Sequence, residues 1–253
     1  MGMLKGKVAL VTAGAGAGIG QAVARRLLEE EAEVVLSDAH ARRVRETGEK
    51  LSKEFGREVP AFEVDVRNPA QIQAMVDAAL ARYGQIDILF NNAGINRLQP
   101  IWEMDEENWS TVLDICLTGT FRCMRAVLPH MIEQKGGAIV NMASTAAWGA
   151  PSDGEAHYCA AKAGVMALTR ATAAEVGSYG IRVNAIAPSV IYNEFLERIY
   201  SKEMFERMEK SNPMGRLGQP RDVADLALFL FSDMSSYITG EVVCISGGAV
   251  VHA

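Results

Sequence analysis

The run Val8-Ala9-Leu10-Val11-Thr12 passes straight into Ala13-Gly14-Ala15-Gly16-Ala17-Gly18-Ile19-Gly20. A short apolar run with β-branched members, bounded by glycines, reads as a buried strand. From Ile19 the apolar positions fall at Ile19, Val23 and Leu27, a four-residue step that keeps one helix face apolar. Strand, glycine turn and helix therefore follow one another. The glycines leave bare backbone beside a helix N-terminus, whose free N–H groups suit a phosphate. Taken alone, the loop is a weak signal for a nucleotide, with a plain tight turn as the alternative.

Outward from that turn the alternation continues. Val34-Val35-Leu36, within Glu33 to Ser37, reads as a second strand, and a polar helical stretch runs from about Ala41 to Phe55. Further strands are predicted at Val59 to Val64, Ile86 to Asn91, Ala138 to Met142, Ile181 to Ala187 and Glu241 to Ile245. Helical patterns lie between them at about Pro69–Tyr83, Glu106–Lys135, Ala156–Tyr179 and Pro220–Phe231. Strands and helices taking turns imply an α/β fold, a doubly wound parallel sheet with helices on both faces. No linker, repeat or low-complexity segment divides the 253 residues, so a single domain is expected. One break in rhythm, Ser189 to Pro213, is longer than an ordinary connection and carries its own helical pattern, the form a substrate lid takes.

Composition narrows the function classes. Hydrophobic residues make up 49% and charged residues 22%, the balance of a folded globular chain. A formal net charge of -6, from 25 basic and 31 acidic residues, provides no field for a phosphate backbone, so nucleic acid is not an expected partner. The start lacks the apolar stretch of a signal peptide, and no later run approaches the roughly 18 apolar residues of a membrane helix. No membrane partner and a cytoplasmic location are expected. Cys116, Cys123, Cys159 and Cys244 are scattered without a Cys-x-x-Cys pair or neighbouring His, so neither a metal site nor a disulfide framework is indicated.

Two further features carry chemistry. Asp38 closes the second strand, eighteen residues after Gly20, where a carboxylate accepts hydrogen bonds from a ribose diol. It would repel the extra phosphate of NADP, and the glycine loop holds no Arg or Lys to attract one, so NAD(H) is the expected cofactor. Tyr158 and Lys162 stand four apart in a helical stretch and share a face. A tyrosine of ordinary pKa about 10 carries protons poorly near neutrality, and a neighbouring ammonium favours its phenolate. The same lysine has the reach to hold a ribose hydroxyl. Tyr-x-x-x-Lys alone also occurs on helix surfaces.

The glycine loop, Asp38, Asp65-Val66, Asn91-Asn92-Ala93-Gly94, Ser144 and Tyr158-Cys159-Ala160-Ala161-Lys162 occur in the order of the short-chain dehydrogenase/reductase family, which the chain resembles over nearly its whole length. Arg182-Val183-Asn184-Ala185-Ile186-Ala187-Pro188 and Tyr237-Ile238-Thr239-Gly240-Glu241-Val242-Val243 look most like the 3-oxoacyl-thioester reductase branch. The resemblance implies a Rossmann-like domain with Ser144, Tyr158 and Lys162 as catalytic residues. Tyr158 would be the acid/base, Ser144 an oxyanion donor, and Lys162 the ribose-holding residue that tunes Tyr158. It further implies cofactor contacts at Gly14, Gly18, Ile19 and Asp38. Asp65 and Val66 would flank the adenine, Asn92 would lie near a ribose, and the backbone of Ile191 would meet the carboxamide. A homotetramer is implied as well, with the helices near Glu106–Lys135 and Ala156–Tyr179 forming one interface and the chain end another.

Departures from the family pattern are specific. Ala13, not Thr, precedes Gly14, and Thr12 sits one step earlier, so the loop is one residue longer and its side-chain brace is in question. Cys116 stands where the family usually places an Asn that holds a proton-relay water, and a thiol is a weak donor and acceptor. The Ser-to-Tyr spacing is one residue longer, through Trp148-Gly149-Ala150-Pro151-Ser152-Asp153-Gly154, which makes Thr145 a rival to Ser144. Pro188-Ser189 and Asn193 stand where Pro-Gly and Thr are usual. In the long connection Phe195, Leu196, Ile199, Tyr200, Met204, Phe205 and Met208 form an apolar face, which either closes over a greasy substrate or packs the lid or a subunit contact. Arg97, Trp102 and Trp148 fall on the expected substrate side, where surface packing accounts for them equally well.

The expected reaction is the interconversion of a secondary alcohol and a ketone, with 3-hydroxyacyl/3-oxoacyl thioesters favoured. A bulky alicyclic or steroid-derived alcohol, or its thioester, is the alternative within enzymes. A non-catalytic nucleotide-sensing scaffold is the alternative from another class.

Overall fold

The computed structural model describes residues 2–149, 151, 153–194, 196–198 and 200–251. Seven strands form one parallel sheet in the order β3-β2-β1-β4-β5-β6-β7: β1 Val8–Val11, β2 Glu33–Asp38, β3 Ala61–Glu63, β4 Ile88–Asn91, β5 Gly137–Met142, β6 Ile181–Pro188 and β7 Val242–Ile245. The helices are α1 Ile19–Glu29, α2 Ala41–Phe55, α3 Pro69–Tyr83, α4 Glu106–Leu113, α5 Gly119–Gln134, α6 Ala156–Val176, α7 Lys202–Ser211 and α8 Pro220–Phe231. None of the described helices is long and apolar enough to cross a membrane.

Strand side chains alternate between two cores, as the pleat requires. Ala9, Val11, Val34, Leu36, Ile88 and Phe90 belong to one core with α1, α2 and α8 residues such as Val23, Val44 and Leu228. Leu10, Val35, Leu89 and Ile139 belong to the other, with Ile72 and Val76 of α3, Val127 of α5 and Val176 of α6. Both faces are covered, which is why the strands read as continuous apolar runs instead of alternating ones. Phe90 anchors the first core against Phe231 of α8, edge to face at 6.2 Å.

Helix ends follow local chemistry. Asn68 caps α3 by accepting from the N–H groups of Ala70 and Gln71, Pro69 opens it, and Gly84 closes it at φ 75. The stretch predicted as one helix over Glu106–Lys135 is three pieces, because Asp114–Thr118 widens into a π turn between α4 and α5. Gly119 N–H reaches the carbonyl of Asp114, and Thr120 Oγ1 donates to the carbonyl of Cys116 at 2.9 Å. The dihedrals at both ends of the π turn, Leu113–Asp114 and Thr118–Gly119, are right-handed helical, so apolar periodicity does not betray it. Similarly, the last three residues of the predicted Ala156–Tyr179 helix tighten into a 3-10 turn, Gly177–Tyr179. Within Ser189 to Pro213 the predicted helical pattern is realised as Leu196–Arg198 and α7.

The sheet order reverses between β1 and β4. Their connections leave in opposite directions, and the C-terminal strand ends part to open a crevice.

Candidate active site

Thr12 ends β1 and stitches its loop to β4. Its Oγ1 accepts from the N–H groups of Asn92 at 2.9 Å and Ala93 at 3.2 Å. It also donates to the carbonyl of Phe90 at 3.3 Å. The brace is therefore kept although Thr12 is one step early. The extra residue is absorbed by Ala13, which takes φ 47, a left-handed conformation that costs a non-glycine residue roughly 1–2 kcal/mol. Asn92 Nδ2 holds the Ala13 carbonyl at 3.1 Å. A Cβ on Gly20 would stand 2.2 Å from that same carbonyl oxygen, so α1 approaches the loop closely only because residue 20 has no side chain. At Gly18 a Cβ would meet nothing within 4 Å. Gly14 instead packs inward, its N–H on the Ser37 carbonyl at 2.8 Å and its missing Cβ facing Leu36.

A cleft of about 780 Å³ runs along the C-terminal strand ends. Gly18, Ile19, Asp38 and Arg43 line it on the β2 side of the switch point, Asn92 and Gly94 in the middle, and Ser144, Tyr158, Lys162 and Ile191 on the β5 side. Asp65 and Val66 do not line it. The Asp65 carboxylate is held by Arg67, which keeps it below the usual carboxylate range, and Val66 packs beneath Gly119.

Asp38 is buried at the end of β2, where its carboxylate accepts from the N–H of His40 and from Arg43 Nη2, each at 2.9 Å. Arg43 comes from the first turn of α2, not from the glycine loop, and a sequence argument restricted to the loop does not see it.

On the catalytic side β5 delivers Ser144 and α6 delivers Tyr158 and Lys162. The two are tied through buried amides: Asn91 Nδ2 donates to Asn141 Oδ1 at 2.9 Å, and Asn141 Nδ2 to Thr169 Oγ1 on α6 at 3.0 Å. Ser144 and Tyr158 line the same cleft, with the Ser144 side chain close enough to act on the Tyr158 phenol. Lys162 Nζ donates to the Met142 carbonyl at 2.6 Å and lies 5.5 Å from the Tyr158 ring centroid. Burial pushes the Tyr158 phenol well above its ordinary value, while the neighbouring Ser144 side chain pulls it back. Burial lowers the Lys162 ammonium. Desolvation thus sets the direction for both groups, and the close partner of the Lys162 ammonium is a main-chain carbonyl.

Thr145 Oγ1 is committed to the Pro188 carbonyl at 3.2 Å, which leaves Ser144 as the hydroxyl beside Tyr158. Cys116 is fully buried. Its thiol donates to the Ile95 carbonyl and accepts from the Ile95 N–H, both at 3.3 Å, so the π turn is tied to the loop after β4. Of the apolar residues of the long connection, Leu196, Tyr200 and Met208 line the cleft. Phe205 packs on the rings of Tyr192 and Tyr200. Phe195 and Ile199 lie outside the described residues, as do Ala150 and Ser152 of the Ser-to-Tyr spacer. Arg97, Trp102 and Trp148 are not among the lining residues: Trp102 is exposed, and Trp148 packs against Ala143 and Val165. The lining also includes Asn96 and Glu155, which the sequence motifs do not single out.

The short-chain dehydrogenase/reductase family is the class that this fold and site define, and the chain belongs to it. The family model described as enoyl-(acyl carrier protein) reductase matches residues 14–250. The chain is 46% identical over 246 residues, 97% of its length and 94% of the relative's, to the (5R,7aS)-5-hydroxy-7a-methyl-1-oxo-2,3,5,6,7,7a-hexahydro-1H-indene-carboxyl-CoA reductase of Mycobacterium tuberculosis. It is 39% identical to the 3-oxoacyl-[acyl-carrier-protein] reductase FabG of Thermotoga maritima, over 98% of this chain and 99% of that one. Among solved structures, a short chain dehydrogenase from Mycobacterium smegmatis superposes with a TM-score of 0.86 at 41% identity, covering 100% of this chain and 95% of that one. The protein is an oxidoreductase of the alcohol/ketone type that uses a nicotinamide cofactor.

Proposed function

We propose that the chain is an NAD(H)-dependent enzyme that interconverts a secondary alcohol and a ketone, with 3-hydroxyacyl/3-oxoacyl thioesters as its substrates. The gathering of Ser144, Tyr158 and Lys162 along one cleft that also holds Asp38 carries this proposal. The cleft fits the cofactor: Gly18 is bare and open at the N-terminus of α1, and Asp38 lines the same cleft at the end of β2. Gly18 and Ile19 take the pyrophosphate region, Asn92 and Lys162 a ribose, and Ile191 the carboxamide; Gly14, expected among the cofactor contacts, packs inward with its N–H on the Ser37 carbonyl and serves the turn instead. Asp65 and Val66, outside the cleft lining, are assigned to the adenine by family resemblance alone.

When bound, the nicotinamide supplies or accepts the hydride. Tyr158 delivers the matching proton to the carbonyl oxygen in reduction and removes it from the alcohol in oxidation. Ser144 donates to the substrate oxygen and stabilises the charge that develops there. Lys162 orients the ribose, and its positive charge favours the phenolate once Tyr158 has given up its proton. Residues 189–213 close over the substrate as a lid within a single domain. The assembly we propose is a homotetramer.

Thioester specificity draws support from the relatives, whose names carry CoA or acyl-carrier protein. A second reading, a ring ketone or alcohol on a CoA thioester, is favoured by the 46% identity to the indene-carboxyl-CoA reductase.

Nicotinamide absorbance followed with acetoacetyl-CoA tests the proposal. NADH is expected to be consumed in preference to NADPH, and Asp38→Ala, which leaves Arg43 without its carboxylate, is expected to shift that preference toward NADPH by at least about tenfold, or ~1.4 kcal/mol. A wild-type preference for NADPH would refute the role given to Asp38. Turnover only on fused-ring substrates would select the second reading. For the relay, Cys116→Asn is expected to raise kcat, since an amide is a far better hydrogen-bonding group than a thiol; an unchanged or lower kcat would refute that account.

A further inference from the structure

Glu155 caps α6 one turn before Tyr158 and is buried in the cleft wall. Tyr200, from the long connection, donates to its Oε1 at 2.9 Å, and Asn96 Nδ2 donates to the same oxygen. Among the described residues Glu155 has no ion-pair partner, and Oε2 accepts no hydrogen bond. A buried carboxylate without a cation is costly and is ordinarily paired. Both existing bonds go to one oxygen, and the carbonyl of a glutamine would accept them equally well. The charge and the second oxygen therefore exceed what the local structure needs. Beside them Asn96 Oδ1 is also buried without a partner. The cleft wall next to Tyr158 thus offers two unused acceptor oxygens, one of them on a carboxylate.

From this geometry we infer that Glu155, with Asn96, is a specificity-determining pair: it accepts a hydrogen bond from a neutral donor of the substrate, a hydroxyl or an amide N–H, and excludes substrates that carry a free carboxylate near the reacting carbon. The inference rests on the alcohol/ketone reaction proposed above and adds a rule about substrate charge. An anion in the cleft would face Glu155 across a low-dielectric gap, where repulsion between like charges is much stronger than in water.

The test compares two substrates that share the same reacting ketone, free 3-oxobutanoate and its neutral N-acetylcysteamine thioester, which carries an amide N–H. The wild-type enzyme is expected to prefer the thioester, and Glu155→Gln to shift the kcat/KM ratio toward the anion by at least about tenfold, ~1.4 kcal/mol. Glu155→Asp, which keeps the charge but changes the shape, is expected to retain the exclusion. A purely structural role predicts the reverse order, with the isosteric glutamine nearer wild type than aspartate. A ratio within twofold of wild type in Glu155→Gln would overturn the inference while leaving the reaction intact, because thioester turnover would continue. If the wild-type enzyme turned over neither substrate, the thioester reaction itself would fall, and this inference with it.

Discussion

Tyr158→Phe is expected to lower kcat by about 10²–10⁴, the range over which a positioned proton donor accelerates a reaction, while NADH binding stays nearly intact. The substitution removes one oxygen from a ring that is otherwise retained, so packing against Ala161 and Leu117 and the contact with Lys162 change little. What disappears is the hydroxyl that Tyr158 presents beside Ser144 in the cleft. Lys162 keeps its bond to the Met142 carbonyl and therefore its place in the cleft. The measurement pairs steady-state turnover with NADH fluorescence titration of the same variant. Loss of turnover with retained binding supports catalysis through Tyr158. Turnover close to wild type would mean that the proton travels by another group. A wild-type chain that binds NADH but turns over neither thioesters nor ring alcohols would be the nucleotide-sensing scaffold instead.

The doubly wound sheet could be read from the sequence because its strands are buried on both faces and its helices are not. Val8–Val11, Ile88–Asn91 and Gly137–Met142 are short apolar runs, whereas α1 and α2 carry their apolar residues at helical steps. Tyr158 and Lys162 could be paired from the sequence because one helix turn fixes their spacing, whereas Ser144 entered only through the family resemblance, since the segment between it and Tyr158 varies in length. Arg43 and Asn96 were not legible, because each enters the cleft from an element whose relation to the motif is set by tertiary packing. Glu155 left only a faint signal, a carboxylate one turn before Tyr158, and its lack of a cationic partner is a property of the folded surroundings. The π turn at Asp114–Thr118 was hidden for a local reason, since the dihedrals at its two ends are those of the helices on either side. The brace of the longer glycine loop shows the converse. Ala13 moves into the left-handed region, and Thr12 still reaches the N–H groups of Asn92 and Ala93.

Ser144→Ala is expected to lower kcat by about 10²–10³, the usual loss when one oxyanion donor is removed, and to displace the pH profile in a definite direction. The Ser144 hydroxyl accepts from the Ala146 N–H at 3.2 Å, and its place beside Tyr158 pulls the buried phenol downward against desolvation. Without it the phenol rises further. Oxidation of the alcohol needs the phenolate, whose fraction below the pKa grows tenfold per pH unit, so the rising limb of the oxidation profile moves to higher pH. Reduction needs the protonated phenol and loses rate without a corresponding alkaline penalty. Thr145 provides the internal comparison. Its hydroxyl is spent on the Pro188 carbonyl, so Thr145→Val should cost stability, about 1–3 kcal/mol for a buried acceptor left unpaired, without moving that limb. Rate measurements from pH 6 to 10 in both directions, with thermal melts of both variants, separate the two hydroxyls. A limb that moved with Thr145→Val and stayed in place with Ser144→Ala would transfer the oxyanion role to Thr145.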